Sequence, residues 1–164
     1  MKNTTLCYIE NNNKYLMLHR IKKEHDQSHG KWLGIGGKFE DKESPEECLL
    51  REVYEETGLT LTSYRLRGIV TFISDIWETE YMFLYTADGY DGMLLTETDG
   101  SLTPVIDGVR TPCSEGVLKW VDIDKVPGLE LWEGDRIFLK LLTEREDFFT
   151  LKLVYKGDVL VGYS

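Results

Sequence analysis

The chain has 164 residues, 19 Lys+Arg against 29 Asp+Glu, a formal net charge of −10, and 41% hydrophobic residues. That length suits one domain with its own core, and the apolar content is too high for a disordered chain. The acidic balance argues against tracking polymeric DNA or RNA on a basic surface, and no apolar run approaches the ~20 residues a bilayer requires.

Residues 1–15 carry charges and a polar Asn11–Asn13 turn where a signal peptide would need its apolar stretch, so a cytoplasmic protein is expected. Thr4–Glu10 and Lys14–Arg20 are rich in β-branched and aromatic residues and flank that turn, which predicts a hairpin. Lys22–Lys31 reads as a polar loop. Its His25 and His29 lack a third zinc ligand, and with Lys22 and Lys23 they would form a flexible rim near phosphate. Trp32–Gly37 reads as one short strand. Ser44, Pro45 and Glu47 then form a capping box and a first helical turn, and Gly58 ends the helix as a left-handed cap. Strands are expected at about Gly68–Ser74, Glu78–Ala87 and Val117–Asp122.

Between the last two, residues 88–116 carry Asp-Gly pairs at Asp88, Asp91, Asp99 and Asp107, each a turn signal, and read as an inserted hairpin or long loop within a single domain spanning 1–164. It would reshape a pocket or form a dimer contact. A second helix is expected from Asp135 to Glu144, with Asp135 at its start. Leu151–Tyr155 and Val159–Tyr163 make a terminal hairpin. Cys7, Cys48 and Cys113 are widely spaced, with no C-x-x-C pair, and read as reduced apolar side chains. The interleaved elements predict an α/β or α+β class with a mixed sheet.

The chemistry concentrates on the helix from Pro45 to Thr57. At about 100° per residue, Glu52, Glu55 and Glu56 share one face, with Leu50, Val53, Tyr54 and Thr57 on the side expected to meet the sheet. A solvated acidic face helped by an Arg51–Glu55 pair is one reading. The other is a cation site, because Glu52 and Glu56 are like charges at i,i+4 whose repulsion a hard divalent ion would remove.

Gly37, five residues, Glu43, seven residues and then Arg51-Glu52-Val53-Tyr54-Glu55-Glu56-Thr57-Gly58-Leu59 match the Nudix box at every fixed position. The chain thus resembles the Nudix hydrolase superfamily. The resemblance implies a Nudix fold, a mixed β-sheet sandwiched between helices (α/β/α), and hydrolysis of a nucleoside diphosphate linked to a further moiety. It also implies a Mg²⁺ shell (with Mn²⁺ as a substitute) drawn from Glu52, Glu55 and Glu56, one of which activates water, with Arg51 and Glu43 orienting that shell. Gly36 and Gly37 would let the backbone approach metal or phosphate, and Lys38 resembles a phosphate-contacting lysine.

Tyr15–Arg20, Gly30–Lys38 and Leu131–Asp135 further resemble the MutT/MutX-like branch, whose members hydrolyse 8-oxo-dGTP. The resemblance implies that Trp132 stacks on a purine and Asp135 reads its edge. A core tryptophan beside an N-cap aspartate is the plainer alternative. Arg20, Phe72 and Tyr81 are further pocket candidates, and Glu115 resembles a loop glutamate that approaches the metals. Leu33 stands where a mammalian member has an asparagine, and Gly134 where it has a second aspartate. The expected substrate is therefore a purine nucleoside triphosphate, oxidised or not, cleaved to monophosphate and pyrophosphate. ADP-ribose or a dinucleotide is the alternative, and a non-catalytic nucleotide-binding domain a third. The partner is a small nucleotide, with no polymeric nucleic acid or membrane, and the protein is expected to be a monomer or homodimer.

Overall fold

The computed structural model describes residues 1–164. It begins with the expected hairpin, β1 (Lys2–Asn11) and β2 (Lys14–His19), turning through Asn12 and Asn13 at positive φ. β1 is buried from Thr4 to Ile9, with no polar alternation, because it runs through the middle of the molecule and is covered on both sides. Leu6 and Tyr8 enter one core, and Cys7 and Ile9 the other.

The segment expected as one strand at Trp32–Gly37 is two: β3 (Trp32–Leu33) pairs with β2, and β4 (Ile35–Lys38) pairs with β1. The chain changes partners at Gly34. Helix α1 (Pro45–Thr57) has the bounds and capping box expected: Ser44 Oγ accepts from Glu47 N–H at 3.1 Å, and Glu47 accepts from Ser44 N–H at 3.0 Å. Such a cap contributes about 1 kcal/mol. The inward face, however, is Cys48, Leu49, Val53, Glu56 and Thr57, whereas Leu50 and Tyr54 are only partly buried. The helix is thus rolled toward its carboxylates, and Glu56 goes inside.

β5 (Thr60–Ser74) starts well before the expected Gly68, and β6 runs Glu80–Asp91, past the expected Ala87. Register shifts at Leu61/Ser63, Ser63/Tyr64 and Leu66/Gly68 break the period of two and hide the first half of β5 from a pattern search. Asp88–Gly89 lies within this irregular pairing and is not a turn. The other three Asp-Gly pairs are turns: Gly92, Gly100 and Gly108 all have positive φ. They bound β7 (Leu94–Thr96), β8 (Leu102–Ile106) and β9 (Val109–Arg110). β10 (Val117–Asp122) leads into a 3-10 turn (Ile123–Gly128), α2 (Glu133–Glu144) and the hairpin β11 (Phe149–Lys156) and β12 (Val159–Tyr163).

The mixed sheet has the order β12-β11-β5-β6-β1-β2-β10-β8-β7, with β1–β6 and β5–β11 parallel. α1 packs through Leu49 and Val53 with Ile9, Leu16 and Leu18, and α2 through Phe138, Leu139 and Leu142 with Tyr8, Met17 and Leu153 on the other side. No helix is long and apolar enough to cross a membrane. Part of segment 88–116 packs against α1 through β8, and its end carries Glu115 to Arg20 at 3.0 Å. Tyr54 donates to Asp107 at 2.8 Å, and a side chain at Gly58 would strike the Val105 carbonyl.

Candidate active site

Arg51 is the hub of the acidic helix. Its guanidinium clasps Glu43 through Nε at 2.6 Å and Nη2 at 2.9 Å, reaches Glu52 at 2.8 Å and Glu55 at 3.2 Å, and donates to the Lys38 carbonyl at 3.1 Å. The bidentate bond holds the Glu43 carboxyl down at about 2 and pushes Arg51 above its ordinary value. A helix residue, the loop before it and the end of β4 are thereby fixed to one planar cation.

Glu56 has no such partner. It is buried, and its Oε2 is free of any hydrogen bond. Burial first, and then the charges of Glu52 and Glu115, push its carboxyl well above the ordinary range, with Arg20 opposing. Glu52 is also raised, by burial first, against the pull of Arg51. Glu115 lies across from α1, held by Arg20 at 3.0 Å and Lys23 at 2.9 Å. No three acidic side chains close on one point in this conformation, because Arg51 draws Glu52 and Glu55 to itself. The donor set nevertheless fits a hard divalent cation: carboxylate oxygens predominate, and a buried one lacks a partner. Gly37 lets the Glu52 carboxyl group come close to the backbone, since a Cβ there would lie 2.4–2.6 Å from it.

A cleft of about 220 Å³ begins at Arg20, Gly36 and Gly37 and continues past Leu33, Phe72 and Trp132 to Asp135. Glu43, Glu52, Glu55, Glu56, Glu115, Arg51 and Lys38 do not line it; Gly37 stands between the cleft and Glu52. Lys38 is exposed, its charge felt by Glu78. Tyr81 is not a cleft residue: strand alternation sends Glu80 and Met82 into the cleft and Tyr81 to the opposite face of β6. The Lys22–Lys31 segment bonds to its surroundings through Lys22 to the Cys113 carbonyl at 2.6 Å and Arg20 to Asp26, and internally through His29 to the Lys23 carbonyl at 2.7 Å.

Trp132 occupies the position preceding α2, its indole N–H donating to Ser28 Oγ at 3.0 Å, with the Tyr155 ring edge-on at 5.3 Å and the Lys31 ammonium 4.8 Å from its ring centre. Asp135 is not the N-cap. It is the third residue of α2 and buried, and it makes no capping bond. Burial first, then the charge of Glu80, raises its carboxyl to about 8, with Arg136 and Lys31 opposing. At neutral pH it is a protonated acid directed at the cleft. Gly134 has no room for a second acid: a Cβ there would meet Leu153 at 2.4 Å and the Tyr155 hydroxyl at 2.7 Å, and that hydroxyl accepts from Gly134 N–H.

Lys2, Thr4, Trp77, Glu80 and Tyr155 also line the cleft and escaped the sequence reading. Only the i,i+2 alternation on β6 and β1 carried a signal for Glu80 and Thr4, and it needed a known cleft to be interpreted.

Comparison with known proteins agrees with this architecture. The NUDIX domain family matches residues 2–142. The chain is 30% identical over 139 residues to the uncharacterized Nudix hydrolase YvcI of Bacillus subtilis, covering 82% of this chain and 75% of that one. It is 31% identical over 137 residues to an oxidized purine nucleoside triphosphate hydrolase of Danio rerio, covering 82% and 77%. Its structure is similar to that of a MutT protein from Bacillus halodurans, with a TM-score of 0.81 and 25% identity over 100% of this chain and 97% of the other. A complete box on a capped helix, a mixed sheet between two helices and a domain match over most of its length place this chain in the Nudix hydrolase family, with the fold of the MutT proteins.

Proposed function

We propose that the protein hydrolyses purine nucleoside triphosphates to monophosphate and pyrophosphate in a Mg²⁺-dependent reaction. The observation that carries this reading is that one cleft is lined both by Gly36, Gly37 and Arg20, beside the acidic helix, and by Trp132 and Asp135, so that phosphates near the helix and a base at the tryptophan would share it. The similarity to a purine triphosphate hydrolase supports it.

In this reading Glu52, Glu55 and Glu56 would hold the cation, with Glu115 facing them. The cation supplies charge neutralisation at the phosphates and a lowered pKa for water. Arg51 and Glu43 keep the helix carboxylates in place, and a carboxylate not engaged by the metal accepts the proton of the attacking water. Arg20, at the cleft wall, offers its guanidinium to phosphate. Trp132 stacks on the base, Phe72 and Leu33 close its sides, and Asp135 meets its edge.

Product analysis over dGTP, 8-oxo-dGTP, ADP-ribose and NADH tests the assignment. Triphosphates should yield monophosphate and pyrophosphate, EDTA should abolish turnover, and Mg²⁺ or Mn²⁺ should restore it. Preferred cleavage of ADP-ribose would overturn the triphosphate reading.

Asp135 adds a pH dependence. Its folded pKa of about 8 lies above the ordinary aspartate value of about 3.9, so the folded state holds the proton more tightly than the unfolded chain. The associated stability is complete below about pH 4 and is lost as pH rises through about 8. Glu80, Lys31, Arg136, Tyr8 and Tyr155 are the titratable or charged groups that act on it. Asp135→Asn should therefore flatten the fall in melting temperature between about pH 5 and 9. An equally steep fall in the variant would show that this carboxyl does not ionise with the cost its burial implies.

A further inference from the structure

A second acid stands at the base end of the cleft. Glu80, on β6, is mostly buried and faces the cleft with Met82. Its Oε2 accepts a hydrogen bond from Thr4 Oγ1 at 2.6 Å, and its Oε1 lies 3.6 Å from Lys2 Nζ. Thr4 and Lys2 sit on the neighbouring strand β1, in parallel register with Met82 and Glu80, and both also line the cleft. Asp135 enters from α2, close enough for the charge of Glu80 to act on it.

This placement is costly to the fold, since the charge of Glu80 makes Asp135 harder to ionise, and an apolar residue at 80 beside Met82 would pack without that penalty. It does provide a carboxylate oriented by a strand hydroxyl and a lysine, with acceptor positions left over. One hydroxyl and one distant ammonium use only part of the capacity of two carboxylate oxygens.

Nucleobase edges differ in what they offer such a group. A guanine-type edge presents a ring N–H beside an amino group, two adjacent donors that match one carboxylate. An adenine-type edge presents an amino donor beside a ring nitrogen whose lone pair would face a carboxylate oxygen. Resting on the nucleotide reading of the cleft, we infer that Glu80, fixed by Thr4 and Lys2, is a specificity-determining residue that selects guanine-type bases, with adjacent N–H donors, over adenine-type bases. Asp135 approaches from the helix side and supplies a second polar contact to the same base. Discrimination by one such paired contact is on the order of 10- to 100-fold.

The test compares wild type, Glu80→Gln and Thr4→Val by kcat/KM for dGTP and dATP, and by quenching of tryptophan fluorescence with dGMP and dAMP. Wild type should favour the guanine nucleotide by on the order of 10- to 100-fold in both readouts. Glu80→Gln presents a donor beside an acceptor, the complement of the adenine edge. It should collapse or reverse that ratio, chiefly through KM and monophosphate affinity, without lowering the melting temperature. Thr4→Val should move the ratio in the same direction by less. An unchanged guanine-to-adenine ratio in Glu80→Gln overturns the assignment even if triphosphates are hydrolysed normally. Should ADP-ribose prove to be the substrate, the triphosphate reading fails, and the dGMP-to-dAMP binding ratio still decides the role of Glu80: a ratio altered in the variant supports it, and an unaltered one overturns it.

Discussion

Glu56→Gln is expected to lower kcat on the order of 10²–10⁴-fold while leaving the melting temperature of the metal-free protein unchanged or raised. The two effects have one cause. Glu56 is buried, and its Oε2 has no partner within the protein. In the absence of a cation it is a group the fold would be better without, since desolvation opposes its charge and Glu52 and Glu115 add repulsion. A neutral amide of the same shape removes both penalties. It also removes the charge that would bind a cation or take a proton from water. Paired kinetics and thermal melts check this, with circular dichroism to confirm the fold. Normal turnover by the variant would exclude Glu56 from the chemistry and leave its burial unexplained by function.

The second large effect is a contrast between two adjacent glycines. Gly36→Ala should abolish folding or cost more than about 3 kcal/mol, and Gly37→Ala should spare the fold yet lower kcat on the order of 10²-fold. At Gly36 an added Cβ would sit 1.9 Å from the Thr5 carbonyl oxygen, where backbone pairing between β1 and β4 allows no retreat. At Gly37 the nearest atoms are the Glu52 carboxyl group, at 2.4–2.6 Å, the far end of a flexible side chain. That group can swing away, and the helix stays seated through Leu49 and Val53. The displaced carboxylate would lose both its position and its Arg51 bond at 2.8 Å. Thermal melts and kcat for both variants, measured side by side, provide the check. A fully active Gly37→Ala would mean that Glu52 is not needed where it stands.

Much of the frame was legible in the chain. The capping box at Ser44 and Glu47 is a local signal, decided by neighbours three residues apart, and α1 has the bounds it announced. β10 matched for a similar reason: Val117–Asp122 pairs in unbroken register with β2, so its pattern is undistorted. β5 was half hidden because three register shifts disturb the alternation that reveals a strand. The start of α2 was misplaced because Asp135 belongs to a residue type that caps helices, and only burial beneath the cleft shows that it does not.

The spacing of Glu43, Arg51, Glu52, Glu55 and Glu56 by itself determined that these residues would lie near one another, since a helix and the short loop before it bring them together without help from the rest of the molecule. Tertiary structure decided which carboxylate is buried, which is spoken for by Arg51, and which faces across to Glu115. It also decided that Tyr81 points away from the cleft while Glu80 points in, and that Gly134 leaves no space for an acid because Leu153 and Tyr155 fill it. Spacing along a helix sets neighbours within about two turns, whereas burial and charge depend on residues distant in the chain, as Glu115 is from Glu56 and Glu80 from Asp135.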